Sequence, residues 1–143
     1  MGSATKLRLL DVLSTVTREL VDALGADACG ISRAIGDMLI LVVEHNEHGR
    51  TIQLGQGYLV SDYPETGRVL DRRESRALTI DDADVDPAEA LVLRELGYAT
   101  LLMLPLVLRD EVWGLVEVYR ETVRPFSDDD ARAATALLAS MLS

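Results

Sequence analysis

The chain is poor in cysteine, aromatic residues and positive charge, and each shortage narrows its chemistry. One cysteine, Cys29, among 143 residues excludes an intramolecular disulfide and a cysteine-built zinc cage. It suits a reducing, cytoplasmic setting. Aromatics make up 4%, so any core must be built from Leu, Val, Ile and Ala. Lys and Arg number 14 against 24 Asp and Glu, a net charge of −10. Such a chain is repelled by nucleic acid and by anionic membrane, so neither is expected as a partner. No hydrophobic run is long enough to span a bilayer, and the start lacks a basic-then-apolar signal pattern.

Several catalytic signatures are absent too. The glycines do not form a phosphate-cradling loop between a strand and a long helix. There is no Gly-x-Ser-x-Gly elbow. Asp82, Asp84 and Asp86 alternate like the start of a calcium loop, but Pro87 stands where that loop needs glycine and Leu93 where it needs glutamate. His45 and His48 sit three apart near a polar turn with no cysteine beside them, which reads as exposed polar residues and not as metal ligands. No Ser-His-Asp set or metal cluster is legible, so the chain is not expected to be an enzyme.

What is present is a single domain with enough apolar residues, 48%, for a substantial core. Lys6–Leu24 carries Leu9, Leu13, Val16, Leu20 and Leu24 at helical spacing, stopped by Gly25. Leu10 and Val21 fall off that stripe and are expected to meet a partner helix. Ala28–Ile35 and Met38–Glu44 form a hairpin across Gly36-Asp37. Weak strands are expected near Ile52–Leu54 and Tyr58–Val60. A helix from Tyr63-Pro64 to about Arg72 has Asp62 and Glu65 in capping-box spacing. Ala77–Ile80 reads as a short strand. Asp86-Pro87-Ala88-Glu89 opens a helix that ends before Gly97. Thr100–Leu108 and Glu111–Tyr119 are the strongest strands, and Ser127-Asp128-Asp129-Asp130 caps a final helix. Adjacent hairpins predict an α+β fold with an antiparallel sheet, the end helices on one face and residues 55–98 on the other.

Four blocks carry a family resemblance: Tyr63-Pro64-Glu65-Thr66-Gly67-Arg68-Val69-Leu70, the run from Leu96-Gly97-Tyr98 to Leu104-Pro105-Leu106, Trp113-Gly114-Leu115-Val116-Glu117-Val118-Tyr119, and Arg124-Pro125-Phe126-Ser127-Asp128-Asp129-Asp130. Together they resemble a GAF domain over about Leu7–Leu142. The resemblance implies a sheet of about six strands, with a small-molecule pocket between one face and the middle segment. It implies a regulatory input domain of a bacterial signalling protein that dimerises through its end helices. Leu10, Val21, Leu137 and Leu142 are the expected dimer residues. The attached output domain would be of the histidine kinase or cyclic-dinucleotide enzyme type. The alternative is a structural dimerisation and relay module that holds no ligand. Residues 5–143 then read as one domain cut from a longer protein.

Departures from the family bear on the cofactor. Methionine sulfoxide reductases of this kind need several cysteines. Bilin-binding members carry a cysteine near the middle helices, often followed by histidine, and no such pair is here. Haem would need a histidine in the pocket. The Asn-Lys-Phe-Asp-Glu motif of cyclic-nucleotide binders is not recognisable. The expectation is therefore no cofactor, with bilin and haem disfavoured.

Alternation along Glu111–Tyr119 puts Val112, Gly114, Val116 and Val118 toward the helices. It puts Trp113, Leu115, Glu117 and Tyr119 toward the pocket. Glu117 in an apolar strand needs a partner when covered: a ligand, Arg33 across the sheet, or water at the pocket mouth. The expected pocket residues are Cys29, Ile31, Arg33, Tyr63, Thr79, Tyr98, Met103, Trp113, Leu115 and Glu117. Tyr58 is a candidate lid, and Cys29 is read as a buried hydrophobe and not as a reactive thiol.

Overall fold

The computed structural model describes residues 2–49 and 56–142, with side chains from residue 8 onward. The element order is α1 (Gly2–Leu24), β1 (Ala28–Ile35), β2 (Met38–Asn46), β3 (Gly57–Leu59), α2 (Pro64–Arg72), β4 (Arg76–Thr79), α3 (Pro87–Leu96), β5 (Thr100–Leu108), β6 (Glu111–Arg120) and α4 (Asp128–Leu142). The strands form one six-stranded sheet in the order β3-β2-β1-β6-β5-β4, with every neighbour antiparallel. The α+β architecture is the one expected. The strand proposed at Ile52–Leu54 lies outside the described residues.

Local signals place the boundaries. Gly25 takes φ +57° and ends α1, while Gly97 at φ +84° ends α3, conformations that cost glycine little. Asp86 caps α3 by accepting from the Ala88 and Glu89 amides. Ser127 and Asp130 cap α4 reciprocally: the Asp130 amide donates to Ser127 Oγ and the Ser127 amide to Asp130 Oδ2, at 3.0 and 2.9 Å. The Arg109-Asp110 turn has φ of 53° and 64°, which suits a tight hairpin. The box read at Asp62 and Glu65 does not form: Tyr63 is the N-cap of α2 and makes no side-chain cap. Glu65 instead pairs with Arg76 at 2.6 Å.

The sheet separates two apolar layers. On one face α1 and α4 pack through Leu13, Val16, Leu20 and Leu138 onto Cys29, Ile31, Leu102, Leu104, Val116 and Val118. On the other, α2 and α3 pack through Val69 and Leu93 onto Ala28, Leu39, Leu101, Met103, Leu115 and Tyr119. Val21 is 2% exposed within the first layer. Its assignment to a partner helix is thus corrected: an off-stripe position on α1 is consumed by this chain's own core. Leu10, Leu137 and Leu142 pack at the rim of the same layer.

Arg120 ties that layer together at one end. Its guanidinium donates to the carbonyls of Leu24, Arg124 and Pro125 at 2.6, 2.8 and 3.2 Å. It also stacks 3.9 Å from the centre of the Phe126 ring. One buried cation thus satisfies a carbonyl left open at the end of α1 and holds the entry to α4.

Two irregularities break simple alternation. The β1–β2 register jumps from Ile31↔Val43 to Ser32↔Leu41, leaving Val42 as an extra residue. The β5–β6 register jumps from Leu106↔Gly114 to Val107↔Val112, leaving Trp113 as the extra residue. Each bulge exchanges the faces of the residues beyond it. Next to the second, β1 approaches β6 so closely that a Cβ on Gly114 would lie 1.9 Å from the Ser32 carbonyl oxygen. Gly114→Ala is therefore expected to force the central strands apart and to lower stability by at least about 1–3 kcal/mol. Urea unfolding of the purified domain measures this, and an unchanged midpoint would contradict the close approach.

Candidate functional site

A cavity of about 240 Å³ lies between the sheet and the α2–α3 segment. Its sheet side is made by Ser32 of β1, Leu41 of β2, Tyr58 of β3, and Glu117 and Tyr119 of β6. Its cover is made by Tyr63, Thr66 of α2, and Glu89, Val92, Glu95 and Leu96 of α3. Room exists because β1 presents small residues here. Ala28, Gly30, Ser32 and Ala34 alternate onto this face, opposite Glu117 at Gly30 and Leu115 at Ser32.

The polar groups form two linked centres. Tyr58 donates its hydroxyl to Glu117 Oε1 at 2.9 Å, and the Tyr119 hydroxyl lies near enough to the same carboxyl to favour its charged form. Thr66 donates to Glu89 Oε1 at 2.6 Å. The Tyr58 and Tyr63 rings meet edge to face at 5.4 Å and 88°. Tyr119 stacks on Tyr98 at 4.8 Å, and the Tyr98 hydroxyl accepts from the Asn46 side-chain amide.

Burial pushes the Glu117 carboxyl up to about 7, with the Glu89 charge adding to the rise and the two tyrosine hydroxyls pulling it back. The group lies deep in the fold, yet its end faces the cavity and stays partly accessible. Glu89 is raised by burial, opposed by its Thr66 hydrogen bond and reinforced by the charges of Asp86 and Glu65. Burial, then the neighbouring Glu117 charge, pushes both the Tyr58 and Tyr119 hydroxyls well up.

The sequence-predicted residues divide into three groups. Tyr63 and Glu117 line the cavity. Tyr98, Met103 and Leu115 sit in the apolar layer on the same side of the sheet, where Met103 Sδ lies 3.5 Å from Thr66 Oγ1. Thr79 is at the β4 edge with its amide and hydroxyl bound to Asp82, away from the cavity lining. Cys29, Ile31, Arg33 and Trp113 require correction, because they belong to the helix side. Cys29 pairs with Val118 and Ile31 with Val116, which fixes all four residues on the α1–α4 face. Arg33 stacks 4.9 Å from the Trp113 ring centre and donates to the Trp113 carbonyl at 2.8 Å, so it is not the partner of Glu117. The Trp113 bulge turns that indole over and sends Val112 to the other face, where it lines a shallow surface depression with Ala34 and Val60. Burial pushes the Cys29 thiol far up, consistent with an inert core residue.

Sequence reasoning missed Ser32, Thr66, Glu89 and Glu95. Glu89 stands three residues after a helix cap, which is the signature of a capping box. Its carboxyl turns to Thr66 and the cavity instead. Elsewhere, His48 Nε2 lies 3.1 Å from Asp27 Oδ1, and Asp27 Oδ2 accepts from the Glu121 amide at 2.8 Å. These three residues converge, and their mutual bonds tie the ends of β1, β2 and β6. Of the acidic loop, Asp86 caps α3, Asp82 accepts from the amide and hydroxyl of Thr79 at the end of β4, and Asp84 lies 3.8 Å from Arg76.

The model of the GAF domain family matches residues 8–143. The chain belongs to the GAF family. No curated protein matches it in sequence. Similar solved structures include the phycoerythrobilin-bound GAF domain of a cyanobacterial phytochrome, at 21% identity and TM-score 0.81, covering 97% of this chain and 86% of that one. The blue-light-absorbing form of the Thermosynechococcus elongatus PixJ GAF domain is another, at 18% and 0.81, covering 99% and 87%. The chromophore-binding domain of the Stigmatella aurantiaca bacteriophytochrome is a third, at 19% and 0.73. There the match covers 91% of this chain and 51% of the other, so the same GAF fold is one part of a longer protein.

These structures overturn the expectation that a bilin is disfavoured, since proteins of this architecture are solved with bilins bound. The one cysteine of this GAF domain is buried on the opposite face of the sheet. Among the described residues no helix is long and apolar enough to cross a membrane.

The raised Glu117 carboxyl has a signature in stability. Its folded value of about 7 exceeds its ordinary value of 4.5. The folded state therefore holds an extra proton between those values. That stabilisation is complete below about pH 4.5 and is lost as pH rises through about 7. Denaturation midpoints of wild type should fall from pH 5 to pH 8 more steeply than those of Glu117→Gln. Parallel curves would contradict the burial of an ionisable Glu117.

Proposed function

We propose that this GAF domain is a non-catalytic sensory module that holds a small molecule in the cavity and passes its occupancy to an attached output domain. The observation that carries the reading is the cavity itself. Hydroxyls and carboxyls converge on it within otherwise apolar walls, the usual make-up of a binding site. Transmission has a short physical route. Glu117 faces the cavity, and the next residue, Val118, packs against the α1–α4 layer. A ligand that shifts β6 therefore acts on both terminal helices. A histidine kinase or a cyclic-dinucleotide enzyme is the output we favour. A bilin is one candidate occupant, and a cavity of about 240 Å³ also admits smaller molecules.

Thermal-shift measurements against amines, nucleotides, amino acids, aromatic acids and a bilin test the reading. A ligand at 100 times its dissociation constant stabilises by about 2.7 kcal/mol. Val92→Trp, which fills the cavity from α3, should abolish the shift while leaving the unliganded domain folded. No shift with any compound would overturn the sensory role.

We further propose that the domain is a homodimer joined through its terminal helices, with Leu10, Leu137 and Leu142 at the seam. All three are only partly covered by this chain. Sedimentation at micromolar concentration should give a dimer that Leu137→Glu converts to monomer. A monomeric wild type would refute the seam.

A further inference from the structure

The chemistry of the cavity points beyond a generic small molecule, and the step rests on the ligand-sensing reading above. We propose that the GAF pocket takes a small organic cation, with a protonated nitrogen set against Glu117 and Glu89 and an apolar or aromatic body set among the tyrosine rings.

Charge selects the class first. Glu89, Glu95 and Glu117 line the cavity, and no Lys, Arg or His among the described residues does. An anionic ligand would stand against carboxyls in a poorly hydrated space, where like charges repel strongly. This chain shows what it does with a buried carboxyl meant only for structure. Glu65, one residue before Thr66, is clamped by Arg76 at 2.6 Å and faced by Arg68 at 3.6 Å. Among the described residues, no ion pair of this kind reaches Glu89 or Glu117. Their hydrogen bonds come from neutral groups: the Tyr58 hydroxyl on Glu117 and the Thr66 hydroxyl and backbone on Glu89.

Hydrogen-bonding capacity narrows the class further. An ionised carboxylate offers about four acceptor sites. The Tyr58 hydroxyl uses one on Glu117 and the Tyr119 hydroxyl lies close to the same group, so acceptor sites remain for N–H donors from the cavity. The rings supply the rest. Tyr58 and Tyr63 stand at 88° to one another and Tyr119 forms part of the same wall. Aromatic rings beside a cavity can attract a cation through their negative faces. Tyrosines beside carboxyls that, among the described residues, have no basic partner therefore suit an ammonium or amidinium group better than a neutral or acidic one.

The protonation of Glu117 supplies an independent readout. Among the described residues, Tyr58 from β3, Tyr119 from β6, Glu89 and Glu95 from α3 and Tyr63 ahead of α2 are the titratable groups on its side of the sheet, with Cys29 of β1 beneath it. With no cation among them, Glu117 is about half protonated near neutral pH. A bound cation stabilises its charged form, so binding near pH 7 releases protons and weakens as pH falls.

The test is calorimetry with skeleton-matched triads, for example 2-phenylethylamine, 2-phenylethanol and 3-phenylpropionate, with benzyltrimethylammonium as a cation that cannot donate. Amines should bind, the alcohols and carboxylates should bind at least about ten-fold more weakly, and proton release should be seen in buffers of different ionisation enthalpy. Glu117→Gln should weaken the amines by about ten- to a hundred-fold. Because that variant alters a buried group, the pH series on wild type provides the second arm: amine affinity should fall as pH goes from 8 to 6. Alcohols or carboxylates binding as tightly as amines, or amine binding that ignores pH and Glu117, would overturn the cation assignment and leave the sensory reading standing. If neither the triads nor the wider panel binds, both fall.

Discussion

The contact on which the rest depends is the pairing of β1 with β6 at the centre of the sheet. The two hairpins, β1–β2 and β5–β6, are joined only there. Gly114 lets the Ser32 carbonyl come where any side chain would block it. That approach locks the register Gly30↔Glu117 and Ser32↔Leu115, and with it the phase of both strands. Small residues of β1 then face the same way as the acid and tyrosine of β6. The cavity floor is a consequence of that phase, and so is the helix-side layer of Cys29, Ile31, Val116 and Val118.

A carboxyl in the middle strand of a sheet is expensive to bury. Here two tyrosine hydroxyls and an open cavity reduce the penalty, and the remainder appears as a raised proton affinity. Arg120, three residues further along the same strand, is buried on quite different terms: three carbonyls, the Asp130 carboxylate and an aromatic ring surround its terminal nitrogens. β6 thus carries one charge that organises the helices and one carboxyl that faces the cavity. Placing both on one strand gives the two faces a short mechanical connection.

Much of the fold is legible along the chain. The boundaries of β1, α3 and β5 match the expected ones, because glycine stops, an Asp cap and a positive-φ hairpin turn are local devices. The reciprocal Ser127–Asp130 cap is likewise written in neighbouring residues. The site is less legible. Alternation correctly turned Leu115, Glu117 and Tyr119 to one face, but failed at Trp113, where a bulge adds a residue. On β1 the face with larger side chains looked like a pocket wall. The structure uses the face of Ala28, Gly30, Ser32 and Ala34, because a cavity needs small residues beneath it.

Two more assignments turned on contacts made far along the chain. Glu89 had a sufficient local explanation as a capping residue, yet Thr66, 23 residues away, draws its carboxyl toward the cavity. Val21 looked free for a partner and is filled by this chain's own core. The sequence alone determined the class, the helix and strand order, the main caps and the GAF resemblance, since each rests on spacing within a few residues. Only the tertiary structure decided which face of β1 meets the cavity, where the strands bulge and which acids line the cavity. Those outcomes depend on register between distant strands, which no single segment encodes.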